Sequence, residues 1–366
     1  MLDLMINGVG RWLGRGDAAV TVPPMDGALK PNNLLETADL RLQANAPDNL
    51  VRLNGEILFS SANSLLHLVA DQTDPLPFAE FDAPILSVAS SPEGALAVAL
   101  DGGGVRVRGG GHDGRHVSDA GGRGLDCVVA MAFVGEDVLL ACNGSASNAA
   151  AAWQRDLLEQ NTSGAVWSIN LASGTATLLA DRLAYPYGIC VEPGGSTAIV
   201  AESWKHRLIR IRLDNRGAIE LVLDNLPGYP ARLAPAVQGG TWLAIFAPRT
   251  QLIEFVLREK RYRNAMMAEV EPAFWVAPAL MSGRSFREPM QGGALKQMGI
   301  LKPWAPTRSY GLVVELDEQF EPLTSYHSRA DGTRHGVTCV IEQDDRLLVA
   351  SKGGDALLSL DLLGRR

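Results

Sequence analysis

One phrase recurs along the chain: a short strand, a Gly-rich or acidic turn, a second apolar strand, a polar loop and a third strand. It occurs six times, beginning at Asp48, Ile85, Leu125, Gly188, Ala231 and Gly336. The first copy reads DNLVRLNGEILFSSANSLLHLVA and the last GVTCVIEQDDRLLVASKGGDALLSLDL. Short runs rich in Val, Ile and Leu, separated by turn residues, suit antiparallel sheets better than helices. Where insertions are absent the copies begin about forty residues apart, the length of one four-stranded propeller blade. The expected fold class is therefore all-β: a six-bladed β-propeller with helical lid insertions at the channel mouth. The last copy ends at Leu362 with three strands, which leaves an edge unpaired. The segment ADLRLQA at 38–44 is expected to supply the missing strand, so residues 1–37 are read as an N-terminal extension and 38–362 as the propeller.

Two copies carry insertions, 144–164 and 247–309, both between the second and third strands. The first contains NAAAAWQRDLLEQN, which suits a short helix. In the second, Leu252, Phe255, Val256 and Glu259 recur at helical spacing. The loop joining strands two and three lies at the same end of a blade as the entry to strand one, so both insertions are expected over one mouth. Long ordered loops commonly carry function. The larger insertion also holds Met266, Met267, Met281, Met290 and Met298, which suit either an apolar lid or helix packing on the propeller.

A net charge of −8 argues against a nucleic-acid partner, because phosphate binding needs a concentrated basic face. No run of eighteen uncharged apolar residues is present to span a membrane, and the first residues lack the features of a secretory signal. A cytoplasmic location and no membrane partner are expected. Cys127, Cys142, Cys190 and Cys339 show no CxxC pairing and sit in apolar runs, as buried reduced thiols do. The Gly-rich runs at 102–104 and 121–124 are followed by neither a helix nor a Gly-Lys-Ser/Thr ending, so they read as hairpin turns. No Gly-x-Ser-x-Gly elbow accompanies a triad.

AYPYGICVEPGGSTAIVAESWKHRLIRIRL at 184–213, LPGYPARLAPAVQGGTWLAI at 226–245 and APDNLVRLNGEILFSS at 46–61 carry a resemblance to the strictosidine-synthase-like family. That family lies within the SMP-30/gluconolactonase/paraoxonase superfamily, and the similarity spans roughly residues 40–362. It implies the propeller fold and a pocket at the mouth of the central channel. Lactonases of the superfamily hold calcium or another divalent ion there, and such an ion needs about six oxygen ligands. On the family's pattern Asp48 and Asp126 match metal-binding positions, as weak candidates. Tyr187 replaces an expected asparagine, and Ala231-Arg232 replaces an Asp-Asn pair. A guanidinium cannot be deprotonated near neutral pH and repels a divalent ion, so no cofactor is expected, with calcium or another divalent cation as the alternative. The glutamate that strictosidine synthase uses in its last blade falls near Thr338, so that activity is not expected either.

The candidate catalytic residues are Asp48, Asp126, Arg232 and His335. Arg232, flanked by Asp48, Asp126 and Tyr187, suits binding of a substrate carboxylate or oxyanion, or alternatively neutralisation by Asp48 or Asp126 in a structural ion pair. An aspartate with a raised pKa suits general-base work, and His335 is placed for proton transfer or as a capping histidine. Tyr187, Asn143, Glu202, His206 and Phe246 are candidate substrate-binding residues, with Glu202 also suited to bracing the blade through Arg207. The expected function is hydrolysis of a small-molecule ester or lactone. A propeller that binds a metabolite or partner protein without chemistry is the alternative, and neither the substrate nor the oligomeric state is legible.

Overall fold

The second strand of each copy carries an apolar run that is buried, whereas outermost strands such as Leu76–Glu80, LPFAE, and Ile219–Leu223 are largely exposed. Leu96–Leu100, LAVAL, is buried at every position. A strand buried on both faces needs a neighbouring sheet on each side, and radially stacked blades provide this without burying the outer strands. The computed structural model describes residues 22–362 apart from 70, 71, 73, 215–217, 284, 286 and 290–306. Within them the chain forms six four-stranded antiparallel sheets. The molecule is a six-bladed β-propeller.

The innermost strands of blades one to six are Asp48–Leu53, Ile85–Ser90, Val128–Val134, Pro186–Val191, Gly228–Pro235 and Val337–Gln343. Each packs against the next around the axis, and the last packs against the first. Asp39–Gln43 pairs antiparallel with Ala356–Asp361 and completes blade six, so one sheet joins the two ends of the propeller. The residues just before that strand are packed as well. Leu35 is fully buried, and Glu36 accepts hydrogen bonds from Ser328, Thr333 and Arg334.

The insertion of blade three begins after Val138–Asn143 and carries helix α1, Trp153–Leu158. That of blade five follows Thr241–Pro248 and carries α2, Gln251–Arg258, and α3, Lys260–Glu269. Thr250 caps α2 by accepting a hydrogen bond from the Ile253 amide at 3.3 Å. The core-facing side of α2 is Ile253, Val256 and Leu257, while Leu252 and Phe255 face outward. Its apolar stripe is thus offset from the one read off the sequence, because five of its eight positions are hydrophobic and the pattern admits two faces. Met266 is buried in the core and Met267 packs against it. Met290 and Met298 lie outside the described residues. No helix among the described residues is long and apolar enough to cross a membrane.

Candidate active site

In every blade the innermost strand carries a β-bulge within its first residues. Pairing with the second strand skips Asn49-Leu50, Leu86, Val129, Tyr187, Ala231-Arg232 and Thr338. A bulge adds an unpaired residue and re-aims it and its neighbours. Repeated six times around an axis, it brings side chains and free carbonyls together at one level of the channel.

Arg232, from the blade-five bulge, donates from Nη1 to Asp48 Oδ1 at 2.6 Å. Its Nη2 donates to the carbonyls of Leu86 at 2.8 Å and Val129 at 3.0 Å. Its guanidinium also lies 5.1 Å from the centre of the Tyr187 ring. Asp48 Oδ1 accepts further bonds from the Asn49 amide at 2.9 Å and the Thr338 hydroxyl at 2.8 Å. Asp48 Oδ2 accepts from Lys352 Nζ at 3.0 Å. Burial opposes ionisation of Asp48, but the charges of Arg232 and Lys352 and the donated hydrogen bonds outweigh it and hold the carboxyl at about 2. Burial likewise opposes the charge on Lys352, and Asp48 more than restores it, so the ammonium persists at neutral pH. Two cations share one carboxylate, which leaves the floor of the site with one net positive charge.

That floor divides the channel. Above it lies a pocket of about 310 Å³ lined by Asp48, Asp101, Tyr187, Trp204, Phe246 and Lys352 among others. Below it is a vestibule of about 490 Å³, lined by all six inner strands and by Arg232 itself. Both insertions reach the upper pocket, through Ala150, Ala151 and Trp153 from blade three and Leu280 from blade five. Its walls are aromatic: Tyr185 stacks on Trp204 with ring centres 4.4 Å apart, and Trp153 and Tyr187 meet Phe246 edge-on at 5.5 and 5.7 Å. Trp204 is fixed by its indole N–H, which donates to Asp156 of α1 at 2.8 Å. Asp101 also faces this pocket. Its carboxylate makes no hydrogen bond or ion pair among the described residues, and burial raises its pKa.

Of the residues singled out in the sequence, Asp48, Tyr187, Arg232 and Phe246 meet at this pocket or its floor. Asp126 does not join them. It lines a separate cleft of about 440 Å³ with Arg123, Asn143 and Trp167, and Asp101 is shared between the two hollows. The register accounts for this, because Val128, not Asp126, opposes Asn143 at the top of blade three. Asn143 accepts from the Cys127 amide and donates to the Ser145 carbonyl, stapling the loop that follows it. Glu202 is fully buried between Arg207 at 2.6 Å and Lys205 at 2.8 Å. His206 packs on Tyr229 and faces Glu254 of α2 at 3.4 Å. His335 is buried off the pocket, with Nε2 against the Arg329 carbonyl and Nδ1 against the Ser309 hydroxyl, both at 2.8 Å.

Lys352 and Asp101 were not singled out in the sequence, although a signal for them exists. Leu100 opposes Ile85 and Ser351 opposes Val337, so Asp101 and Lys352 occupy the same place in blades two and six, one step past the second strand. That shared position in the repeat is the sequence signal for both.

No family model matches the chain. Over 221 residues it is 24% identical to the adipocyte plasma membrane-associated protein of Salmo salar, covering 57% of this chain and 46% of that one. Over 100 residues it is 26% identical to the human protein of that name, covering 25% of this chain and 24% of the relative. The chain thus spans less than half the length of these curated relatives. A putative gluconolactonase structure superposes with a TM-score of 0.56 at 11% identity, covering 88% of this chain and 91% of the other. A gluconolactonase from Xanthomonas campestris gives 0.56 at 10%, covering 87% and 86%. The fold is that of the gluconolactonases.

The divalent ion that the resemblance to the lactonases implies does not suit the residues present. Both Asp48 oxygens already face cations, Arg232 at 2.6 Å and Lys352 at 3.0 Å. Among the described residues no three His, Cys, Asp or Glu side chains converge as a ligand set.

Proposed function

We propose that the axial pocket hydrolyses a small ester or lactone whose apolar part lies against Trp153, Tyr187, Trp204 and Phe246. The observation that carries this reading is the Lys352 ammonium, fixed by Asp48 and 30% exposed at the base of an aromatic hollow. A fixed cation of this kind stabilises charge that develops on a carbonyl oxygen during attack. Asp101, whose carboxylate has no partner among the described residues and whose pKa burial raises, takes the proton from the attacking water. The water oxygen bonds to the carbonyl carbon, the carbon–oxygen bond to the leaving alkoxide breaks, and the proton held by Asp101 passes to that alkoxide. Asp48, held at about 2 with both oxygens engaged, serves as the anchor of Lys352 and not as the base.

Purified protein assayed against aryl-ester and lactone panels tests this. Lys352→Met is expected to lower kcat by about 10²–10³, and Asp101→Asn to abolish the pH-dependent turnover. The wild-type rate should rise with pH as Asp101 loses its proton, with an inflection above the ordinary aspartate value. Turnover that survives both substitutions overturns the proposal. The saturation of Asp48 favours a second reading, a pocket that retains a small carboxylate without chemistry. It would appear as thermal stabilisation by aryl carboxylates with no turnover of any ester. We place the protein in the cytoplasm, a reading supported by four free cysteines, three of them buried. Cell fractionation tests it.

A further inference from the structure

The contacts of Arg232 are those of a hard cation in an oxygen cage. Its nitrogens are held by an Asp48 carboxylate oxygen from blade one at 2.6 Å, the Leu86 carbonyl from blade two at 2.8 Å and the Val129 carbonyl from blade three at 3.0 Å. Tyr187 of blade four adds the face of its ring, whose centre lies 5.1 Å from the guanidinium. Blade six enters through Asp48, to which Thr338 and Lys352 donate at 2.8 and 3.0 Å. One guanidinium and its carboxylate therefore touch every blade. Carboxylate, carbonyl and hydroxyl oxygens are also the donors that calcium selects, in sets of about six to eight.

We infer that Arg232 is a built-in cation that closes the channel and fastens the six blades in place of a metal ion, and that the cage around it becomes a divalent-cation site once the Arg232 and Lys352 charges are both removed. The backbone carbonyls belong to bulges and have no ladder partner to return to. Without the guanidinium they stay aimed inward and need another cation or water. Lys352 has to be neutralised too, because its ammonium holds the second Asp48 oxygen. This inference is independent of what the upper pocket binds.

Calcium itself is the probe. Isothermal titration of the wild-type protein should show no saturable binding, and its Tm should be the same in chelator and in millimolar calcium. The Arg232→Ser/Lys352→Met double variant should bind one calcium per chain, with Kd on the order of 10⁻³ M or tighter, and calcium should raise its Tm. Terbium in place of calcium should give luminescence sensitised by the surrounding aromatic rings, lost when Asp48→Asn is added. Arg232→Lys keeps a cation in the cage, so it should fold without calcium and bind none.

If the double variant does not fold in plain buffer, refolding it in a calcium series reads the same site by circular dichroism. One wild-type calcium site that disappears in Asp48→Asn overturns the inference. So does a folded double variant that ignores millimolar calcium, one that calcium fails to refold, or an Arg232→Lys variant that binds calcium equally well.

Discussion

At the scale of single residues, the energetics concentrate at Asp48. A buried carboxylate is tolerated only where cations and donors compensate its lost hydration. Arg232→Met removes one compensating charge and should destabilise the protein by about 3–5 kcal/mol. Adding Asp48→Asn should restore part of that loss, and a double-mutant cycle in denaturant measures the coupling. Acid titration reads the same pair. Asp48 lies below its unfolded value, so the stability it contributes is fully present above pH 3.8 and is lost as pH falls towards about 2. That amounts to roughly 2 kcal/mol. His327, lowered from 6.5 to about 4 by burial and the charge of Arg329, contributes at milder pH. It stays neutral in the fold, so its share is lost as pH falls from 6.5 towards 4. Tm against pH should therefore decline in two stages, with the lower stage reduced but not abolished in Asp48→Asn, because, against the effect of burial, His206 and Arg249 hold Glu254 at about 2 as well.

At the scale of elements, the pocket depends on two insertions docked onto the blades. Asp156 in α1 accepts hydrogen bonds from Trp204 of blade four, from Asn148 at 3.0 Å and from Asn161 at 2.6 Å. Asp156→Ala strands these donors and should cost about 1–3 kcal/mol. It should also release Trp204, which is measurable as a change in tryptophan fluorescence together with weaker ligand binding. On the other side, Leu280 from the blade-five insertion rests its carbonyl against Gly353, the residue after Lys352. A Cβ at Gly353 would meet that carbonyl directly. Gly353→Ala should push the strap away, lowering Tm by an amount equivalent to about 1–3 kcal/mol and raising ligand off-rates.

At the scale of the whole molecule, the ring is held shut by one strand. Leu42 is buried in Asp39–Gln43 and pairs with Leu357 of blade six. Leu42→Asp places an unpaired charge in that seam and should cost about 4 kcal/mol or more. Because the edges of blade six are then unprotected, the variant should also form aggregates detectable by light scattering. A Leu42→Asp protein that unfolds at the wild-type temperature and stays monodisperse would show that closure lies elsewhere.

The sequence by itself determined the architecture, because repetition and strand alternation are local patterns that survive without knowledge of contacts. The six copies, the closing segment at 38–44 and the placement of both insertions were all legible on that basis. The resemblance to a known family, rather than the repeats, set Asp48, Tyr187 and Arg232 beside one another. Tertiary structure alone decided the rest. The bulges of blades one to four and six each shift the register by one residue, and a shift of that size exchanges which side chains face the axis. Asp126, two residues ahead of the inner strand Val128–Val134, falls into a neighbouring cleft, while Lys352 of blade six reaches Asp48 of blade one only once the ring closes. A charge's partner is fixed by closure of the whole circle, and no window of sequence contains that distance.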